Sequence, residues 1–367
     1  MGVIASGAPR TTGAAAPRTY QETTTPGASA PGVVVFSVPA RGAPTSIARG
    51  SRMPWGRWSV PRARMAVMHV VVGTADGLRA FGVDGTPGER RFDGRVVTAL
   101  GPQYPHLWAI VDGAEVWRTE PDGRWSLRAS SDGPRLTCIA DVRAGYVVGT
   151  SEAHLRRVTG AGLDAIDAFE HVAGRDGWYT PWGGPPDVRS ISEDRRAVYV
   201  NVHVGGIARS RDEGASWEPT IDVDADIHRV WAEDGRVFGA CARGLAVSAD
   251  DGDTWEMRAE GLHATYCRGV ARCGDAVLVS ASMGPSGRRS AVYRGSADGG
   301  PFERCRSGLP EWFEANIDSL CLDAAPDRGV AAFGTGDGRI FLSDDEGSSW
   351  SQVASGLSGI TCVTLLP

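Results

Sequence analysis

One eight-residue phrase occurs three times in this chain and constrains its fold more than any other stretch. The copies are Ser210-Arg211-Asp212-Glu213-Gly214-Ala215-Ser216-Trp217, Ser248-Ala249-Asp250-Asp251-Gly252-Asp253-Thr254-Trp255 and Ser343-Asp344-Asp345-Glu346-Gly347-Ser348-Ser349-Trp350. All three read Ser-x-Asp-x-Gly-x-Ser/Thr-Trp. A short Asp or Ser side chain accepts hydrogen bonds from turn amides, which an alkyl side chain cannot. Gly supplies the positive φ that closes a tight turn without a Cβ clash. The closing Trp offers a large apolar surface that pins the turn on a sheet. The phrase therefore predicts a corner between two strands. Its Ser210, Asp212, Gly214, Trp217, Ser248, Asp250, Gly252, Trp255, Ser343, Asp345, Gly347 and Trp350 are scaffold residues. An EF-hand calcium loop needs Asp-x-Asp-x-Asp-Gly with a Glu at its twelfth position, and no copy supplies that set.

From Met65 onward the chain repeats a larger unit: apolar strand, Gly-containing turn, second strand, box or box relic, closing strand. Seven such units begin at residues 69–74, 107–111, 145–150, 197–203, 237–241, 277–281 and 330–335. Every unit but the first is preceded by another short apolar run, at 96–100, 136–140, 188–192, 228–232, 267–271 and 317–322. The chain ends in one more such run, residues 359–366, which is placed to pair into the first unit. Four-stranded units at about 40-residue spacing are the mark of a propeller, whose closure hides sheet edges. The expected fold is all-β: a seven-bladed β-propeller of four-stranded antiparallel blades, closed by the C-terminal strand. The 49 Gly, 22 Pro and 12 Trp suit many short strands joined by tight turns.

Residues 1–64 differ from the rest. They are rich in Ala, Pro, Gly, Thr and Ser, carry eight Arg and one acid, Glu22, and hold no helical or strand period. They read as a disordered extension or a mis-assigned start, with the propeller occupying 65–367. Without them the chain has 30 Arg against 43 acids, a net charge of −13, which argues against nucleic acid as a partner. No apolar run approaches the roughly 18 residues of a membrane helix. The seven scattered Cys, with no Cys-x-x-Cys, read as reduced core residues of a cytoplasmic protein.

In a propeller the boxes join third to fourth strands on one face. The connections between blades emerge on the opposite face, around the channel mouth. Two of these are long and aromatic: residues 169–186, with Trp178, Tyr179 and Trp182, and residues 308–316, with Trp312. Loops of this kind often carry function, and equally often cover a blade edge. Arg189, Arg229 and Arg268 occupy what reads as one position, the entrance of the inner strand, in three successive units, and Asp318 holds it in the next. Three converging guanidinium groups would make an anion-recognising mouth, completed by Trp178, Tyr179, Trp182, His203, His228, Tyr266 and Trp312. The competing reading pairs each Arg with a neighbouring acid. The seven His are dispersed, without His-x-His or His-Glu-x-x-His, so the sequence points to no metal and no cofactor, although His203 and His228 stand to meet on adjacent blades.

The boxes resemble the Asp-box, or BNR repeat, of sialidase-like propellers. The stretches from Trp178 to Arg189 and from Gly261 to Arg268 are similar to those of bacterial YVTN/BNR-like propeller proteins. The resemblance runs from about Met65 to the end. Proteins of that kind are commonly labelled glycosyl hydrolases, but boxes transfer fold, not reaction. A sialidase would need three Arg on a carboxylate, a Tyr nucleophile with a Glu partner and an Asp acid. Tyr266 is available as the nucleophile, but no Glu is tied to it and no Arg-Ile-Pro motif is present. Another glycoside hydrolase would need two carboxylates about 5 or 6.5–9.5 Å apart, from Asp187, Glu311 and Asp318. The favoured expectation is a non-catalytic binding or assembly module with a protein, small-molecule or glycan ligand at the mouth. The hydrolase stands as the alternative.

Overall fold

The computed structural model describes residues 68–103, 105–181 and 183–367. Several of its strands, among them Val198–Val202 and Ala276–Ser282, are buried at every position rather than at alternate ones. Burial on both faces requires a layer on each side, which radially stacked blades provide. Fourth strands such as Glu218–Pro219 lie outermost and are exposed.

There are seven four-stranded sheets, each antiparallel throughout. The inner strands are Ile360–Leu366 in blade 1, Val97–Gln103 in blade 2, Leu136–Val142 in blade 3, Val188–Glu193 in blade 4, Ile227–Glu233 in blade 5, Tyr266–Cys273 in blade 6 and Leu322–Ala325 in blade 7. Blade 1 joins the two ends of the ring. Its inner strand pairs with His69–Thr74 from His69 opposite Leu366 to Thr74 opposite Ile360. The expected fold and closure are both present.

The inner strand of blade 7 starts later than its sequence implies. The run 317–322 alternates like a strand, but only Leu322–Ala325 pairs. Asp318, Ser319 and Leu320 leave the sheet in a turn closed by the Cys321 amide on the Asp318 carbonyl at 2.9 Å. Leu320 packs against apolar clusters built from blades 1, 2 and 3. Its carbonyl accepts from the Val363 amide of blade 1 at 2.8 Å. This turn crosses the ring axis and plugs the channel.

The three boxes are superposable in their bonding. The Ser hydroxyl donates to the Asp carboxylate at 2.8 Å in each copy. It accepts from the Gly amide at 2.8, 2.7 and 2.8 Å. The Asp then accepts from the amide and the hydroxyl of Ser216, Thr254 or Ser349, so both carboxylate oxygens are engaged inside the turn. Gly214, Gly252 and Gly347 have φ of 90°, 89° and 82°, and the acids before them, Glu213, Asp251 and Glu346, are also left-handed at 57°, 60° and 57°. Two successive positive φ values define a type I′ turn, which matches the twist of the strands it joins. Trp350 is buried, whereas Trp217 and Trp255 are half-buried.

Residues 1–64 lie outside the described residues, and every strand of the seven sheets falls between His69 and Leu366. A chain beginning at Met65 is expected to melt with the full chain. A drop beyond about 4 °C, roughly 2 kcal/mol or more for a domain of this size, would show that the extension contributes to the ring. The boxes also predict acid sensitivity. Hydrogen bonds from Thr254, then from Ser248, pull the Asp250 carboxyl down to about 2, and the Ser216 hydroxyl and amide pull Asp212 down likewise. A carboxyl depressed by folding stabilises above its ordinary value of 3.8 and loses that contribution as pH falls toward about 2. Asp250→Asn should lower the melting temperature at pH 6, with the gap to wild type closing between about pH 4 and pH 2. A gap that persists at pH 2 would show that ionisation is not what the turn uses.

Candidate functional site

Six of the seven inner strands open with an irregularity in their pairing, and this irregularity builds the mouth; Leu322–Ala325 of blade 7 pairs without one. The register slips after Val97, Leu136, Val188, Ile227 and Cys267, and at Thr361 in blade 1. The residue displaced is Thr98, Thr137, Arg189, His228, Arg268 and Thr361 in turn. A bulged residue leaves the ladder and re-aims its side chain. The three-Arg alignment is therefore off by one in blade 5: the equivalent of Arg189 and Arg268 is His228.

Arg229 lies one residue deeper and turns into the channel. Its guanidinium donates to the Ser319 and Leu322 carbonyls at 2.5 and 2.6 Å, holding the plug. Burial lowers its pKa, against the attraction of Asp323; burial raises that of Asp323, against the attraction of Arg229. Both line a cavity of about 460 Å³ formed by the later residues of six inner strands, on the box side of Leu320. Arg229 is thus a channel residue and does not join the mouth.

The mouth brings together side chains from blades 4, 5 and 6. Arg268 pairs with Asp318 at 2.5 Å and reaches the Tyr266 hydroxyl at 3.4 Å. Tyr266 packs on His228 with ring centroids 4.7 Å apart, and His228 lies 5.7 Å from His203. Asp226 stands between the two histidines, 3.1 Å from His203 Nε2 and 3.5 Å from His228 Nε2. Arg189 has no ion-pair partner within 4 Å among the described residues. Its pKa is lowered by burial and then by the like charge of Arg268, against the pull of Asp187, Asp318 and Tyr266. Burial also lowers His203, against the pull of the Asp226 carboxylate 3.1 Å away.

Other expected residues lie elsewhere or act as scaffold. Trp178 packs on Phe169 with centroids 5.8 Å apart, and Arg175 sits 4.8 Å over its ring, so this connection covers a blade edge. Tyr179 is exposed, its hydroxyl 3.3 Å from Asp224. Trp182 lies outside the described residues. Trp312 packs 4.6 Å from His263, with Arg289 and Arg304 at 4.5 and 4.2 Å from its ring. Asp187 pairs with Arg135 at 3.3 Å, and Glu311 is exposed. The sequence pointed to no metal-ligand set; in the structure His203, Asp226 and His228 bring one ligand atom each to within 4.8 Å of one another. Asp226 was not expected. Its only signal is its place two residues before His228.

No family model matches the chain, and no curated protein matches it. Solved structures do. The computationally designed Ika8 protein is similar over 80% of this chain and 86% of its own, with a TM-score of 0.53 and 15% identity. YCF48 bound to a D1 peptide gives 0.53 and 12% identity over 81% and 88% of the two chains. U3-55K gives 0.53 and 14% over 74% and 84%. At these identities the likeness is one of fold.

The two kinds of Arg should separate by stability. Arg229→Ala strands two carbonyls and the Asp323 charge, and should cost about 2–4 kcal/mol in urea unfolding. Arg189→Ala should cost less than about 1 kcal/mol. Equal losses would mean that Arg229 does not hold the plug.

Proposed function

We propose that this chain is a binding propeller that takes a carboxylate-bearing segment of a protein partner at the mouth opposite the boxes, through Arg189 and Arg268. One observation carries the reading. In three blades the bulged residue latches onto the carbonyl that begins the next inner strand: Thr361 on Val97, Thr137 on Val188 at 2.5 Å and His228 on Cys267 at 2.6 Å. The residue facing these bulges from the second strand is small: Gly73, Gly149 and Ala240. Where the bulge is Arg189 or Arg268, the second strand supplies the latch instead. Asn201 donates to the Ile227 carbonyl at 2.8 Å and Ser280 to the Ile317 carbonyl at 2.9 Å. Both arginines are relieved of a structural duty and face the mouth.

A guanidinium fork suits a carboxylate, and Tyr266 lends an aromatic wall. The YCF48 structure with its D1 peptide supports a peptide as the class of ligand for such a propeller. Two of the three carboxylates that a hydrolase would draw on are tied up, Asp318 on Arg268 and Asp187 on Arg135, which favours binding over hydrolysis. The seven free, buried cysteines support the cytoplasm as the place of work.

The test is fluorescence anisotropy with a library of labelled peptides rich in Asp and Glu, set against their Asn and Gln counterparts. Arg189→Ala should weaken the best acidic binder at least about 10-fold, as loss of a charge-assisted bond implies, at an unchanged melting temperature. Added salt should weaken the wild type. Equal binding of neutral peptides, or binding indifferent to Arg189→Ala, would reject the reading.

A further inference from the structure

We infer that His203, Asp226 and His228 form a site for a divalent transition-metal ion of the zinc and cobalt class. His203 follows the second strand of blade 4, Val198–Val202, and the other two flank the start of the inner strand of blade 5. A tetrahedral ion holds nitrogen and oxygen ligands at about 2.0–2.2 Å, which separates neighbouring ligand atoms by roughly 3.3–3.5 Å. The Asp226 oxygen lies 3.1 Å from His203 Nε2 and 3.5 Å from His228 Nε2.

The second observation is the state of His228. Its side chain has no exposed surface. Its Nδ1 lies 2.6 Å from the Cys267 carbonyl, which can only accept, so Nδ1 carries the hydrogen. In the neutral ring Nε2 is then a bare lone pair aimed at a carboxylate oxygen, and it makes no hydrogen bond. Two electron-rich atoms facing one another out of water need a cation between them. A proton on Nε2 would draw the pair into a hydrogen bond; a metal ion needs the separation observed. Ligating histidines characteristically donate their other ring nitrogen to a carbonyl or carboxylate, as His228 does.

Two imidazoles and one carboxylate select zinc, cobalt, nickel or copper over calcium and magnesium. Three protein ligands leave a tetrahedral ion one further position, and Asp226, 25% exposed, puts the edge of the group at the mouth. The positive charge of Arg189 reaches His203 and opposes a cation. An anion in the open position would offset that repulsion. The metal site does not depend on what protein the mouth binds, since the ion alone is the probe.

The full chain, stripped with a chelator and dialysed, is titrated with Zn²⁺ against a chromophoric competitor. Separately, Co²⁺ is added and its visible absorption recorded. One ion per chain is expected, with the strong bands of low-coordinate Co²⁺. His228→Ala removes a latch as well as a ligand, so His203→Ala and Asp226→Asn carry the test. Asn tolerates the left-handed backbone at Asp226, where φ is 50°. Each variant should melt near the wild type and bind Zn²⁺ at least about 10-fold more weakly. Binding unchanged in both variants would overturn the site. So would a wild-type chain that gives no Co²⁺ spectrum, or an NMR spectrum at pH 7 with Zn²⁺ present in which both nitrogens of His228 carry protons.

Discussion

Every blade of this ring begins with an edge strand turned toward the channel, and the polar groups of that strand must be satisfied by someone else. The neighbouring blade does it. At six of the seven junctions a donor from one blade meets a carbonyl at the entry to the next: Thr361, Thr137, Asn201, His228, Ser280 and the thiol of Cys321. Further along, Ser190 and Ser192 accept from the amides of Val230 and Ala232, and Asp323 accepts from that of Leu365. An unpaired buried amide or carbonyl costs about as much as a lost hydrogen bond. These latches therefore fix the rotation of each blade against the next. They also explain close contacts that admit no larger residue: a Cβ on Gly73 would stand 2.6 Å from the Val97 carbonyl, and one on Gly149 would stand 2.4 Å from Val188.

The same constraint decides which residues are free to act. The bulged Thr361 and Thr137 are spent on the neighbouring blade, whereas a bulged Arg is released only if another side chain takes the latch. Asn201 and Ser280 do so in the two blades whose bulge is Arg. His228 is the intermediate case, one ring nitrogen latching and the other left for Asp226. Blades 4, 5 and 6 thus gather the mouth chemistry on one arc of the ring. On the opposite arc Thr361, Thr98 and Thr137 hold the same position.

This explains what could be read from the chain beforehand. The boxes and the turn glycines are local: Ser210, Asp212 and Gly214 bond within one turn, so the phrase alone predicts them. Closure was legible because residues 359–366 have no partner in their own unit. The bulges were not legible. One displaced residue leaves no compositional trace, and matching Arg to Arg aligned Arg229 with Arg189 in place of His228. The plug was missed for a related reason. Ile317-Asp318-Ser319-Leu320-Cys321-Leu322 alternates like a strand, and only the absence of pairing partners shows that its middle leaves the sheet. Asp226 was missed because a left-handed residue ending a short turn looks like any acidic turn residue.

The plug sets the character of the site. Leu320 and the Ser319 carbonyl close the axis between the mouth and the cavity on the box side, and Arg229 ties the closure to blade 5. A ligand at the mouth meets a floor and cannot thread the ring. It must be recognised by what projects upward: Arg189, Arg268 with Asp318, Tyr266, and the His203–Asp226–His228 group. Such a shallow, charged floor cannot bury much of a small apolar molecule, which is how small ligands gain affinity. It can hold one anionic group of a larger chain whose remaining contacts spread over the surrounding blades. Tyr179, in the connection into blade 4, and Met283, directly after the second strand of blade 6, are exposed on the same face. The floor suits the macromolecular partner proposed above better than a free metabolite, and it does so for the reason the ring is stable at all. The atoms that finish the inner strands also leave little room inside.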